Sequence, residues 1–176
     1  MHSLMLACVL LAAVTSPVQL PGAAPANPFG DPTRTSTPHL TVESSISHPT
    51  AAPGTRLTVT LAVTPRPTMH VYAPGKHDYQ VVQLVLDPQP WAKLEPTKYP
   101  ASETYHFEPL NETVEVYSKA FRLTREMIVL DTPDARQRLA GQKSLTVSGR
   151  LEYQACDDKV CYSPSKIPVS FVVTIK

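Results

Sequence analysis

The sequence predicts an all-β chain folded as an antiparallel sandwich. Three observations carry that expectation. Apolar residues recur at every second position in a series of short runs. Prolines and turn residues separate those runs. No long stretch has helical spacing, so the strands do not alternate with helices as a parallel doubly wound sheet requires.

Before the first strand lie two segments without sheet character. Leu4–Val14, LMLACVLLAAV, is apolar but too short to span a bilayer, which needs about twenty such residues. It fits the core of a secretory signal peptide, with Ala24-Pro25-Ala26 as a small-residue cleavage site, giving a signal over 1–26. Pro17, Pro21, Pro25, Pro28, Pro32 and Pro38 then punctuate a stretch without periodicity, and 27–39 reads as a disordered linker. The expected destination is the periplasm or another secreted location, and no later segment is apolar enough to cross a membrane.

Alternation begins near Leu40, and 40–176 reads as one domain. Leu57, Val59, Leu61 and Val63 mark one strand, and Val82, Leu84 and Leu86 another. Val114 and Val116 mark a third. Leu145, Val147, Gly149, Leu151 and Tyr153 form a fourth, and Val169, Phe171, Val173 and Ile175 the last. Period two with Val, Thr, Tyr and Ile is the pattern of a half-buried pleated strand. Pro65, Pro67, Pro74-Gly75, Pro88, Pro90, Pro96, Pro100, Pro133 and Pro164 read as breaks between runs. The one helix candidate is Pro133 to Ala140, opened by proline and ended by Gly141.

Composition excludes several functions. The chain has 176 residues, enough for one domain with a core. Its formal net charge is +1, without the basic excess of a nucleic-acid surface or of a polybasic membrane patch. It has 6 glycines and no glycine-rich phosphate loop, so nucleotide chemistry is not expected. No nucleophile elbow is present. The carboxylates Glu103, Glu108, Asp157 and Asp158 read as solvated loop residues, and Trp91 as a core or rim residue. Asn111-Glu112-Thr113 matches a glycosylation acceptor, which matters only in a glycosylating pathway.

Chemistry concentrates in the cysteines. Cys8 lies in the signal segment, which leaves Cys156 and Cys161 to the mature domain. In an oxidising compartment a pair this close forms a disulfide. Closing so short a loop stabilises by only about 2 kcal/mol, and the strands on either side are already tethered by their turn. As a redox pair the placement is good: a partner thiolate can attack one sulfur and the neighbour can resolve the mixed disulfide. Asp157 and Asp158 raise thiol pKa values and Lys159 lowers them, so spacing leaves the reactive sulfur undecided, and structural and redox roles both open. A soft metal site using His70, His77 or His106 lacks the paired spacing of zinc modules, and neither metal nor cofactor is expected.

The run YQACDDKVCYSPSKIPV resembles the N-terminal domain of the thiol:disulfide interchange protein DsbD. Tyr153-Gln154, Cys156, Asp157, Cys161, Tyr162, Pro164 and Ile167-Pro168-Val169 carry that resemblance. Two further stretches support it: His70-Val71-Tyr72 with Ala73-Pro74-Gly75, and Phe107-Glu108-Pro109 through Glu115-Val116-Tyr117. The resemblance implies an immunoglobulin-like sandwich with the cysteine pair near one end. It implies a relay that takes electrons from a thioredoxin-like donor and passes them to a periplasmic disulfide isomerase or a cytochrome c maturation thioredoxin-like protein. Cys161 would then be the exchange thiol and Cys156 the resolving one. Phe107, or Leu110, would be the cap residue shielding the pair, with Tyr72 and Tyr162 lining the site. Two departures stand out. Some family members have five residues between the cysteines where this chain has four. The family protein also continues into a membrane-spanning carrier and a thioredoxin-like domain, whereas this sequence has no second cysteine pair, so donor and acceptor are expected as separate proteins. The competing expectation is a secreted immunoglobulin-like binding module in which the disulfide is a local clamp.

Overall fold

A computed structural model describes residues 33–108 and 111–176. The signal segment with Cys8, the linker as far as Pro32, and Leu110 lie outside these residues. The strands are β1 Thr33–Ser36, β2 Leu40–Ile46, β3 Thr50–Ala51, β4 Arg56–Pro65, β5 His70–Tyr72, β6 Gln83–Leu86 and β7 Ala92–Lys98. They continue as β8 Glu103–Phe107, β9 Glu112–Tyr117, β10 Phe121–Val129, β11 Ser144–Tyr153, β12 Ala155–Cys156 and β13 Ser165–Ile175, with helix α1 Pro133–Leu139 between β10 and β11.

These strands form an immunoglobulin-like antiparallel sandwich. One sheet has the order β1-β2-β4-β10-β7 and the facing one β3-β13-β11-β6. A third, smaller sheet, β12-β5-β9-β8, extends one end. The period-two residues supply the core. Leu57, Val59, Leu61 and Val63 of β4 are fully buried, as are Val147 and Leu151 of β11 and Val173 of β13. Alternation works because successive side chains leave opposite faces of a strand, so one face packs while the other meets water.

Helix α1 follows its sequence signals. Thr132 caps it by accepting the Ala135 N–H, Pro133 opens it, and Ala135 and Leu139 bury its inner face. Gly141 ends it at φ +77°, a conformation costly for any side chain.

Three features depart from the sequence reading. Thr33–Ser36, within the stretch read as linker, is instead an edge strand paired with β2 from Thr33↔Ser44 to Ser36↔Thr41. Its polar, exposed residues carry no alternation because neither face joins the core. Pro96, read as a break, lies inside β7. That strand is the sheet's edge and is bulged opposite Arg125–Met127, where a missing N–H is tolerated. β10 escaped notice because Arg125 interrupts its apolar series. The guanidinium does not enter the core uncompensated: its Nε donates to the Glu95 carbonyl at 2.7 Å and Nη1 to the Leu84 carbonyl at 3.3 Å, covering acceptors beside the bulge.

Gly149 of β11 faces Leu86 of β6 with no room for a side chain. A Cβ there would collide with the Val85 carbonyl oxygen and sit 2.9 Å from Leu86 Cδ2. Gly149→Ala is therefore expected to destabilise the domain by about 1–3 kcal/mol, read as a lower urea midpoint at unchanged m-value. An unchanged midpoint would mean that the strands separate freely at this point.

Candidate functional site

The site is built on the small third sheet and the connection between β11 and β13. After Tyr153 the chain leaves β11, and Ala155–Cys156 pair with β5 as Ala155↔Val71 and Cys156↔His70. A tight turn reverses it. Asp157 N–H donates to the Val160 carbonyl, while Asp157 Oδ1 accepts the N–H groups of Lys159 at 2.8 Å and Val160 at 2.7 Å. These backbone donors, with the Tyr162 hydroxyl, hold the Asp157 carboxyl below the usual range. The turn brings Cys161 opposite Cys156, and the two are disulfide-bonded with Cα atoms 4.1 Å apart.

The two cysteines differ in access. Cys156 is 1% exposed, packed with Tyr72, Val114 and Val116 in a small cluster separate from the main core. Cys161 is exposed, and beside it Val160 is 52% exposed at the tip of the turn.

A pocket opens on the disulfide, lined by His70, Tyr72, Tyr79, Tyr105, Phe107, Glu112, Val114, Cys156, Asp157 and Cys161. Strand register explains the set. Tyr105↔Val114 and Phe107↔Glu112 are facing pairs of the β8–β9 hairpin, so all four side chains share a face. His70 and Tyr72 are two apart on β5 and share a face too.

Tyr72 is the residue most directly engaged with sulfur. Its hydroxyl lies 3.0 Å from Cys156 Sγ and 3.4 Å from Cys161 Sγ. With the sulfurs bonded to each other, the phenol is the donor. Burial, and then the neighbouring Tyr79 and Glu112, push its pKa far above the ordinary tyrosine value, so it keeps its proton. The ring is fixed by stacking on Tyr79, with centroids 4.1 Å apart, and Tyr79 in turn donates to Glu112 Oε2 at 2.7 Å. Tyr105 donates to Asp158 Oδ1 at 3.0 Å, tying β8 to the cysteine turn.

The residues expected from sequence divide into three groups. Cys156, Cys161, Tyr72 and Phe107 meet at the one pocket. Leu110 lies outside the described residues. Tyr162, expected to line the site, does not line this pocket. Its ring packs on His39 at 4.5 Å and its hydroxyl donates to Asp157 Oδ2 at 3.1 Å, bracing the turn from outside. Adjacent residues of an extended chain point to opposite faces, so Tyr162 cannot follow Cys161 into the pocket. Gln154 has a bracing role as well: its Oε1 accepts from Gln80 N–H and its Nε2 donates to the Tyr162 carbonyl, joining the loops on either side. His106 faces away, paired with Thr113 Oγ1. Sequence reasoning weighed His70 only as a metal candidate and as part of the resemblance, and overlooked Tyr79, Tyr105 and Glu112 as site residues. The spacing His70-x-Tyr72 and Tyr105-x-Phe107 was the available signal.

A family model described as "Thiol:disulfide interchange protein DsbD, N-terminal" matches residues 37–171. The chain belongs to this family. The DsbD N-terminal domain is a thiol–disulfide exchange domain, and here its cysteine pair stands at bonding distance. Among solved structures, the N-terminal periplasmic domain of ScsB from Proteus mirabilis is similar, with a TM-score of 0.56 at 14% identity over 81% of this chain. At that identity the likeness concerns the fold. This chain spans about half of that relative, 51%. No curated protein matches the sequence. Among the described residues, no helix of this DsbD-type domain is long and apolar enough to cross a membrane.

Proposed function

We propose that this domain is an extracytoplasmic electron relay, reached through an N-terminal signal peptide over 1–26, with the sandwich domain over 40–176. It takes two electrons from a thioredoxin-like dithiol protein. It passes them to disulfide-bearing acceptors, either a periplasmic disulfide isomerase or a thioredoxin-like protein of cytochrome c maturation. The observation that carries this is the asymmetry of the pair: an exposed Cys161 bonded to a buried Cys156 at the floor of an aromatic pocket.

Cys161 is the exchange sulfur and Cys156 the resolving one. A donor thiolate attacks Cys161 Sγ; the new S–S bond forms as the Cys161–Cys156 bond breaks, and the electron pair leaves on Cys156. The donor's second thiolate then attacks its own bridged sulfur and releases Cys161. The donor ends as a disulfide and this domain as a dithiol. Oxidation by an acceptor reverses the roles: Cys161 attacks, and Cys156 resolves. Tyr72, within reach of both sulfurs, donates a hydrogen bond to the thiolate that forms. Phe107, projecting from the β8–β9 hairpin into the pocket, shields the pair until a partner displaces it.

The test is to mix the oxidised domain with a reduced thioredoxin-like protein, quench in acid, alkylate and weigh the products. Gain of two alkylated thiols per domain is the expected result. A disulfide that stays intact under a large excess of the dithiol protein contradicts a relay and leaves a structural clamp.

A further inference from the structure

His70 is a buried titratable group for which the exchange scheme has so far given no task. It is 4% exposed and sits directly across the β5–β12 ladder from Cys156. Facing residues of an antiparallel pair project from the same side of the sheet with Cβ atoms about 5 Å apart, so imidazole and sulfur are neighbours. The ring is held between Tyr105, 4.6 Å away by centroids, and the edge of Tyr72 at 5.8 Å.

The exchange chemistry creates a need at this spot. Attack on Cys161 drives an electron pair onto Cys156, which is buried. An anion in an apolar pocket is costly unless a positive charge or hydrogen bond accompanies it. The residues lining the pocket include neither Lys nor Arg, and Asp157 adds negative charge. Tyr72 supplies a hydrogen bond but no charge. His70 is the one group of the lining that can become a cation.

We propose that His70 takes up a proton as the Cys156 thiolate forms, so that the reduced domain holds an imidazolium–thiolate pair on facing strands. This rests on the relay assignment of Cys161 and Cys156. Two electrons and two protons pass from the donor dithiol: the S–S bond breaks, one proton reaches Cys161 through solvent, and the other resides on His70 beside Cys156. The titratable groups around His70 are the two cysteines, Asp157 and Asp158 of the turn, Tyr72 of its own strand and Tyr105 of β8. Tyr79 and Glu112 line the same pocket. In the oxidised domain burial holds the imidazole below its ordinary pKa, against the pull of Asp158 and Asp157, and it is neutral near pH 7. Reduction places a thiolate opposite it and reverses that balance.

The experiment follows the imidazole resonances of the wild-type domain by NMR against pH, before and after reduction with dithiothreitol, with His70→Gln used to assign the His70 signal. The titration midpoint of His70 is expected to rise on reduction by about one pH unit or more, a tenfold gain in proton affinity. A midpoint unmoved by reduction overturns the proposal. A second readout uses Cys161→Ser, in which Cys156 is the remaining thiol of the pair. Its thiolate absorbance near 240 nm should titrate about one pH unit further toward alkaline pH when His70→Gln is added, a tenfold change in proton affinity, and coincident curves would again overturn it. A disulfide that dithiothreitol fails to reduce sinks the relay and this proposal together. Reduction with an unmoved His70 sinks this proposal alone.

Discussion

Cys161→Ser is expected to abolish electron transfer outright, whereas Cys156→Ser should leave a domain whose Cys161 thiolate attacks the disulfide of an acceptor and stays captured as a stable mixed disulfide, with no neighbour to resolve it. The difference follows from access. Only Cys161 presents itself to a partner, and only Cys156 stands beside it to cleave the intermediate. Each variant loses the same short cross-link, worth about 2 kcal/mol, so a loss of stability does not by itself identify the exchange sulfur. The measurement is non-reducing electrophoresis and mass spectrometry after each reduced variant meets a thioredoxin-like protein that lacks its resolving cysteine and carries the remaining one as a mixed disulfide with thionitrobenzoate, which leaves as the new S–S bond forms. Equal capture by the two variants, or capture through Cys156 in Cys161→Ser, would reverse the assignment.

Tyr72→Phe is expected to slow reduction of the disulfide by about 10- to 100-fold, because a hydrogen bond to a charged group contributes roughly 1.5–3 kcal/mol. The substitution removes one oxygen and keeps the ring that stacks on Tyr79, so packing around Cys156 is preserved. Since Tyr72 stays protonated well into the alkaline range, the loss should be constant between about pH 6 and 9, which separates it from any effect of His70. Stopped-flow reduction by dithiothreitol at several pH values gives the answer. A rate equal to wild type would mean that the phenol packs against the sulfurs without stabilising the departing thiolate.

The sandwich was legible because its central strands obey period two. β4 and β13 bury alternate residues along their length, as the sequence pattern required. What escaped were the strands whose side chains serve neither a core face nor a regular ladder. β1 is polar on both faces, β7 contains Pro96 at a bulge, and β10 places Arg125 within its apolar series to cover two carbonyls. The cysteine pair was legible from spacing, and its setting from resemblance. The remainder of the pocket was not, because Tyr79, Tyr105 and Glu112 come from a loop and a hairpin that converge only through pairing of β5 with β9 and β12. His70 looked like an isolated histidine until register set it opposite Cys156. Tyr162 shows the converse: next to a cysteine in sequence, it faces away in space.

The reduction potential of the Cys156–Cys161 pair tests the relay most directly. The purified domain is equilibrated in glutathione buffers of graded ratio, quenched, and its free thiols trapped and counted. A potential between roughly −120 and −270 mV, the range of proteins that exchange disulfides for a living, is the result expected of a relay. A potential below about −300 mV would place the bond among structural disulfides that resist reduction, and would contradict it.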